Sequence, residues 1–265
     1  MNVYWLEQTE AHVPADNDWL SAREAACLNA MRFAKRRADW RLGRWTAKRA
    51  LSVILEMPAY PLFRKIEIRA APSGAPEVFL DGRPAAVTIS LSHRAGIAAC
   101  AVSMSDVKMG CDLEMIEPRS DAFIADYFTL EEQALVAHAS AAERDRLLAL
   151  LWSGKESALK ALREGLRLDT RSVIVIPCAA SFELNGWSEL RVRYTAGRDA
   201  GGHSSGDRHS GDRSSGGRSS ADQVFRGWWQ HADGIVRTVV GAPPPHSPVR
   251  LRIPDYGPCA ASPCA

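Results

Sequence analysis

Val107-Lys108-Met109-Gly110-Cys111-Asp112-Leu113-Glu114 is an apolar run that ends in two carboxylates two residues apart. Its pattern predicts a strand, the last of a series over residues 65–70, 77–80, 87–91, 96–103 and 107–114 punctuated by Gly, Pro and Asp. Helices stand on either side of this series. A capping box at Ser21 and Glu24 supports a helix over 18–30, and a longer periodic segment predicts another over 37–55, ending before Pro58. A second box, Thr129 with Glu132, opens a helical region that continues through 142–163. Strands return over 173–176 and 189–194, then as a hairpin over 224–229 and 235–240. Helices followed by strands, twice over, predict an α+β fold of two halves packed side by side, residues 1–105 and 106–242.

A chain of 265 residues, 46% of them apolar, can bury a core of its own. A formal charge of +2 argues against a nucleic-acid protein as a whole. The balance is uneven, however: residues 32–49 hold eight Lys or Arg against one acid, Asp39, enough to collect phosphates locally. The six cysteines lack paired metal spacing, which points to reduced, cytosolic thiols. The opening MNVYWLEQTE has no basic stretch leading into an apolar core, and no segment approaches a membrane span, so a cytoplasmic protein without a membrane partner is expected. Residues 196–222 contain seven Gly, seven Ser and four Arg offset by four Asp, with no large apolar side chain. They are expected to be a disordered insertion within the second half. Residues 243–265, rich in Pro at their start, are expected to be a surface tail.

On a strand, the spacing of Asp112 and Glu114 puts both carboxylates on one face, about 6 to 7 Å apart at the backbone, which suits a shared hard cation such as Mg²⁺. Taken alone, a solvated strand face explains most such pairs. Trp152-Ser153-Gly154-Lys155-Glu156-Ser157-Ala158-Leu159-Lys160 lies on a helix with Glu156 and Lys160 as i, i+4 neighbours. The plain reading is a surface ion pair. The functional one makes Glu156 a third metal ligand or a proton acceptor, and Lys155 and Lys160 phosphate contacts. Arg37, Arg41, Arg44 and Lys48 form one basic stripe, opposite an apolar stripe that can face the core. Ser90-Leu91-Ser92-His93-Arg94 ends a strand before Gly96 and presents hydroxyl, imidazole and guanidinium groups together.

In this order the pieces resemble the 4′-phosphopantetheinyl transferase superfamily, specifically its longer, monomeric type that activates peptide and polyketide synthases. The family pattern G-x-D-x-E, then W-S-x-K-E-S-x-x-K about forty residues on, is matched at Gly110 to Glu114 and Trp152 to Lys160. Gly74-Ala75-Pro76, Ile89 to His93, and Tyr127-Phe128-Thr129 through Glu132 look like further family elements. The resemblance implies two α+β halves related by a pseudo-two-fold axis, with coenzyme A in the cleft between them. It implies Mg²⁺ on Asp112, Glu114 and Glu156, and coenzyme A contacts from Arg41, Ser92, His93, Lys155 and Lys160. Ala75 stands where the family has Lys, and Arg94 is expected to compensate. The reaction implied is transfer of phosphopantetheine from coenzyme A to a serine of an apo acyl or peptidyl carrier protein, with Glu156 as base and Glu132 as second choice. Two other classes remain: a nucleic-acid-binding module, which leaves the three carboxylates without a role, and a homologue that binds without catalysis, although all three carboxylates and both lysines are in place.

Overall fold

The computed structural model describes residues 1–57, 62–164, 167–178, 186–196 and 222–253. The chain opens with β1 (Tyr4–Thr9), α1 (Ala22–Ala30) and α2 (Ala34–Ile54), followed by β2 (Ile66–Ala70), β3 (Pro76–Leu80), β4 (Arg83–Pro84), β5 (Thr88–Arg94) and β6 (Ile97–Ser103). It continues with β7 (Lys108–Met115), α3 (Asp121–Tyr127), α4 (Leu130–His138), α5 (Ala141–Leu162), β8 (Val173–Pro177), β9 (Ser188–Tyr194), β10 (Gln223–Ala232), β11 (Ile235–Ala242) and β12 (Val249–Arg250). The architecture is mixed α+β. The expected helix over 18–30 begins only at Ala22, because Ser21 caps it from an extended conformation and takes the Glu24 N–H. The single helical region expected from Thr129 breaks at Ala139 and Ser140, both extended. β1, β4, α3 and β12 were not anticipated.

Three sheets form, in the orders β12-β1-β6-β5, β2-β3-β4 and β7-β11-β10-β9-β8. Helix α2 buries Trp45, Ala47, Ala50 and Leu51 against the first two sheets, and α5 buries Leu148, Leu151, Ala158 and Leu159 against the third. The apolar stripe predicted on the second helix is therefore its core face.

A charged knot recurs in each core. Glu24, in its capping box, takes the Ser21 N–H, the Ile68 N–H of β2 and the Lys48 ammonium, and Lys48 also donates to the carbonyls of Trp19 and Phe63. Glu132, likewise boxed with Thr129, takes the Val175 N–H of β8 and the Lys155 ammonium, and Lys155 also donates to the carbonyls of Thr170 and Val173. All four side chains are at most 2% exposed.

The segment expected as a surface tail is tied down as far as residue 253. β12 runs parallel to β1, pairing Val249 with Tyr4, while Leu251 and Ile253 pack on the N-terminal core. The expected disordered insertion lies almost wholly outside the described residues; at its ends the Ala196 N–H donates to Asp222 Oδ1 at 3.1 Å.

Candidate functional site

Gly110 decides how close the site's two elements come. On β7 it shares a face with Asp112 and Glu114, and a Cβ there would lie 1.9 Å from the Ser157 carbonyl oxygen of α5. With hydrogen in that place the helix backbone rests directly on the strand. Ser153 and Ser157 fix the contact from above, both hydrogen-bonding the buried Thr238 hydroxyl of β11 at 2.8 and 2.6 Å. Glu156 and Lys160 are thereby delivered onto the carboxylates of β7.

Asp112 is buried. Its Oδ1 accepts from Lys160 Nζ and from the Ser92 hydroxyl, both at 2.8 Å, and its Oδ2 is buried with no hydrogen-bond partner. Glu114 Oε2 accepts from Arg119 Nη2 at 3.0 Å and lies 3.7 Å from Arg94 Nε, and the Trp152 side chain weakly favours the charged carboxylate. Burial, and then the charge of Asp112, push the Glu114 carboxyl above its ordinary range. Glu156 is pushed up by burial first, then by Asp112 and Glu114, with Lys160 opposing. Burial works against the charge on Lys160, but Asp112, Cys111 and Glu156 outweigh it and raise its pKa. The face is a set of crowded acidic oxygens held apart by cations.

Among the described residues no group of three or more His, Cys, Asp or Glu side chains converges closely enough to hold a metal ion by itself. The donor chemistry still fits a hard cation that shares its shell with water and phosphate: Asp112 Oδ2 is unsatisfied, and Glu114 and Glu156 repel it and each other. Beside this face lies a cleft of about 790 Å³ lined by Arg44, Arg69, Lys160, Arg163 and the Gly74–Pro76 turn. Glu77 and Asp106 also line it, Asp106 Oδ1 lying 3.4 Å from Arg163 Nη2, which leaves a net positive lining that suits a ligand with several phosphates.

Other expected site residues sit elsewhere. Lys155 and Glu132 pair with each other in the core beneath α5, 0% and 1% exposed, with Lys155 also donating to the carbonyls of Thr170 and Val173 and Glu132 accepting the Val175 N–H. Lys48 is likewise withdrawn from the basic stripe, which is not a single solvated face. Arg41 turns its Nη2 to the carbonyls of Pro14, Ala15 and Asp16, clamping the segment before α1. His93 is 54% exposed at the end of β5, its Nε2 3.8 Å from Asp39 of α2. Ser92 faces β7 rather than the cleft. Its hydroxyl accepts the Leu113 N–H at 3.2 Å, as Ser90 accepts that of Cys111 at 2.9 Å, so two serines two residues apart satisfy the free edge of β7. Arg94 does reach the site, at Glu114 and at Glu117 Oε1, 2.7 Å away.

Sequence reasoning missed Arg69 and Arg163, which no motif marks. It read Arg44 only as part of the stripe and missed Arg119, whose neighbours Pro118 and Ser120 signal merely a turn. Trp152, whose motif position gives it no role in the sequence, stacks edge-on to Phe123 and Tyr127 at 5.1 and 5.2 Å near Glu114. Residues 108–204 match the family model of the 4′-phosphopantetheinyl transferase superfamily (ACPS). The matched stretch contains both motifs, with Asp112, Glu114, Glu156 and Lys160, and points to a transferase of the 4′-phosphopantetheinyl type. Arg41, Ser92, His93 and Arg94 fall outside it. No curated protein matches the chain. No helix among the described residues is long and apolar enough to cross a membrane.

Proposed function

We propose that this protein transfers the 4′-phosphopantetheine group of coenzyme A to a serine of an apo acyl or peptidyl carrier protein, releasing 3′,5′-ADP. The observation that carries the reading is the meeting of Asp112, Glu114, Glu156 and Lys160 beside a cleft with a net positive lining. Arg44, Arg69 and Arg163 hold the phosphates of coenzyme A by charge, and Lys160 bears on the transferring group from its place on Asp112. The carrier serine attacks the β-phosphorus, and the bond to the bridging oxygen breaks as ADP leaves. Glu156, whose carboxyl favours its proton more than an ordinary glutamate does, takes the serine proton. Asp112 and Glu114, joined by Glu156 when it is not acting as base, would hold Mg²⁺. When bound, that ion offsets charge on the pyrophosphate.

We further read the two halves as repeats related by a pseudo-two-fold axis, as in the longer, monomeric members of the superfamily. The twin knots Glu24–Lys48–Ile68 and Glu132–Lys155–Val175 support this: each joins a capping box, a long helix and the first strand after it. A chain that carries the whole of its cleft can act as a monomer, and cytoplasmic carrier proteins are the expected partners.

The test is to mix the protein with coenzyme A, Mg²⁺ and a panel of apo carrier proteins and to follow carrier mass. A phosphopantetheine adduct that needs a divalent cation and is lost in Asp112→Ala is expected. Full transfer in EDTA would remove the metal from the scheme, and no adduct on any carrier would sink the reading.

A further inference from the structure

Around Glu114 lies a layer of charge that the transfer scheme does not use. Arg119, in the loop between β7 and α3, donates from Nη2 to Glu114 Oε2 at 3.0 Å and lies 3.3 Å from Glu117 Oε1. Arg94, from the end of β5, bridges the same two carboxylates at 3.7 and 2.7 Å. The Arg119 guanidinium also lies over the Phe123 ring, 5.1 Å from its centroid, and its side chain is only 20% exposed. It is held in place on three sides. Counting the site as a whole, the carboxylates of Asp112, Glu114, Glu117 and Glu156 face the cations Lys160, Arg94 and Arg119, which leaves one net negative charge.

One net negative charge is little for a divalent cation that must also displace water, and two guanidiniums stand at the oxygen of Glu114 it would approach. We propose that Arg119 opposes divalent-cation binding to the free protein, so that the metal is taken up together with the substrate's pyrophosphate. The phosphate oxygens supply the missing negative charge, and they offer Arg119 and Arg94 bidentate partners in place of Glu114. Metal and pyrophosphate then raise each other's affinity by the same factor. The inference rests on the metal reading of Asp112 and Glu114 given above.

Mn²⁺ is the probe, with free ion followed by electron paramagnetic resonance in the absence of coenzyme A. Arg119→Gln is expected to bind Mn²⁺ roughly three- to ten-fold tighter than wild type, the scale of one partly buried ion pair, with Arg119→Lys close to wild type. Glu117→Gln, at a carboxylate 41% exposed and tolerant of change, should act in the opposite direction and weaken Mn²⁺ binding, because it removes negative charge and releases both arginines onto Glu114. Adding coenzyme A should tighten Mn²⁺ more in wild type than in Arg119→Gln. Binding unchanged in Arg119→Gln overturns the inference. Weaker binding overturns it too, by making Arg119 the residue that orients Glu114 as a ligand. Asp112→Ala separates the two levels: Mn²⁺ binding that survives it overturns the metal reading and this inference together, whereas binding lost in Asp112→Ala but unmoved by Arg119→Gln defeats the inference alone.

Discussion

Glu156 is a carboxyl placed where burial and like charge act in one direction, both favouring its proton. In the folded protein it therefore keeps a proton at pH values where the unfolded chain has released it. Stability from this group is fully present below the ordinary glutamate pKa, near 4.3, and is lost as pH rises through the raised folded value. Glu156→Gln removes the charge while keeping the shape. The variant is expected to melt higher than wild type at neutral pH without divalent cation, with the gap closing as pH falls into the ordinary carboxylate range, while its transfer rate falls. Thermal melts over a pH series check the sign, and a gap that widens in acid would remove the assigned crowding. The spacing of Glu156 and Lys160 made their shared face legible in the sequence, and strand alternation did the same for Asp112 and Glu114. The pairing of Lys155 with Glu132 was not legible, because a charge beside a motif looks like part of it. Sequence shows no burial, and both residues are consumed by one core ion pair. The capping box at Thr129 already gave Glu132 a structural task, one that the structure extends to Lys155 and Val175.

Among the elements, the strand β7 and the helix α5 set the geometry of everything above them. Alanine at Gly110 would put its Cβ 1.9 Å from the Ser157 carbonyl oxygen and 2.7 Å from the Ala161 nitrogen, both backbone atoms, so the helix itself must move. Overpacking of this kind costs about 1–3 kcal/mol. The displaced helix also carries Glu156 and Lys160 away from Asp112, and a misplacement near 1 Å can cost on the order of 10²-fold in rate. Gly110→Ala is thus expected to lose transfer far out of proportion to its melting temperature; a folded variant with the wild-type rate would show that the close approach is irrelevant. The glycine was visible as a motif position, but its reason lies in a helix some forty residues on. The serines of β5 were equally visible, and their use at the free edge of β7 was not, because nothing in a single chain segment says which strand will lack a neighbour.

At the scale of the whole molecule, the cleft is lined by residues of β2, β3 and β5 together with Met109 of β7 and Lys160 of α5, so its shape depends on what stitches the five-stranded sheet to the others. Buried Arg237 of β11 grips Glu7 of β1 with Nε at 2.6 Å and Nη2 at 2.9 Å. Residues 243–253 add a second stitch. The Met1 amine donates to the Pro244 carbonyl, Trp228 Nε1 of the five-stranded sheet to that of Pro245, and the N–H groups of Val249 and Leu251 to the carbonyls of Val3 and Trp5. A two-residue strand within a proline-rich stretch leaves no alternation to read, which is why this segment looked like a tail. A chain ending after Ala242 would lose the apolar contacts of Leu251 and Ile253, about 1 kcal/mol or more each where half-buried, and would strand the indole N–H of Trp228 at about 1–3 kcal/mol. Compared with a chain ending after Ile253, it is expected to melt lower by on the order of 10 °C. The comparison isolates the stitch, because both chains lack residues 254–265. Coenzyme A binding, followed by calorimetry below both melting points, should weaken in the shorter chain as the sheets that line the cleft lose registration. Equal melting temperatures would return residues 243–253 to the status of a surface tail.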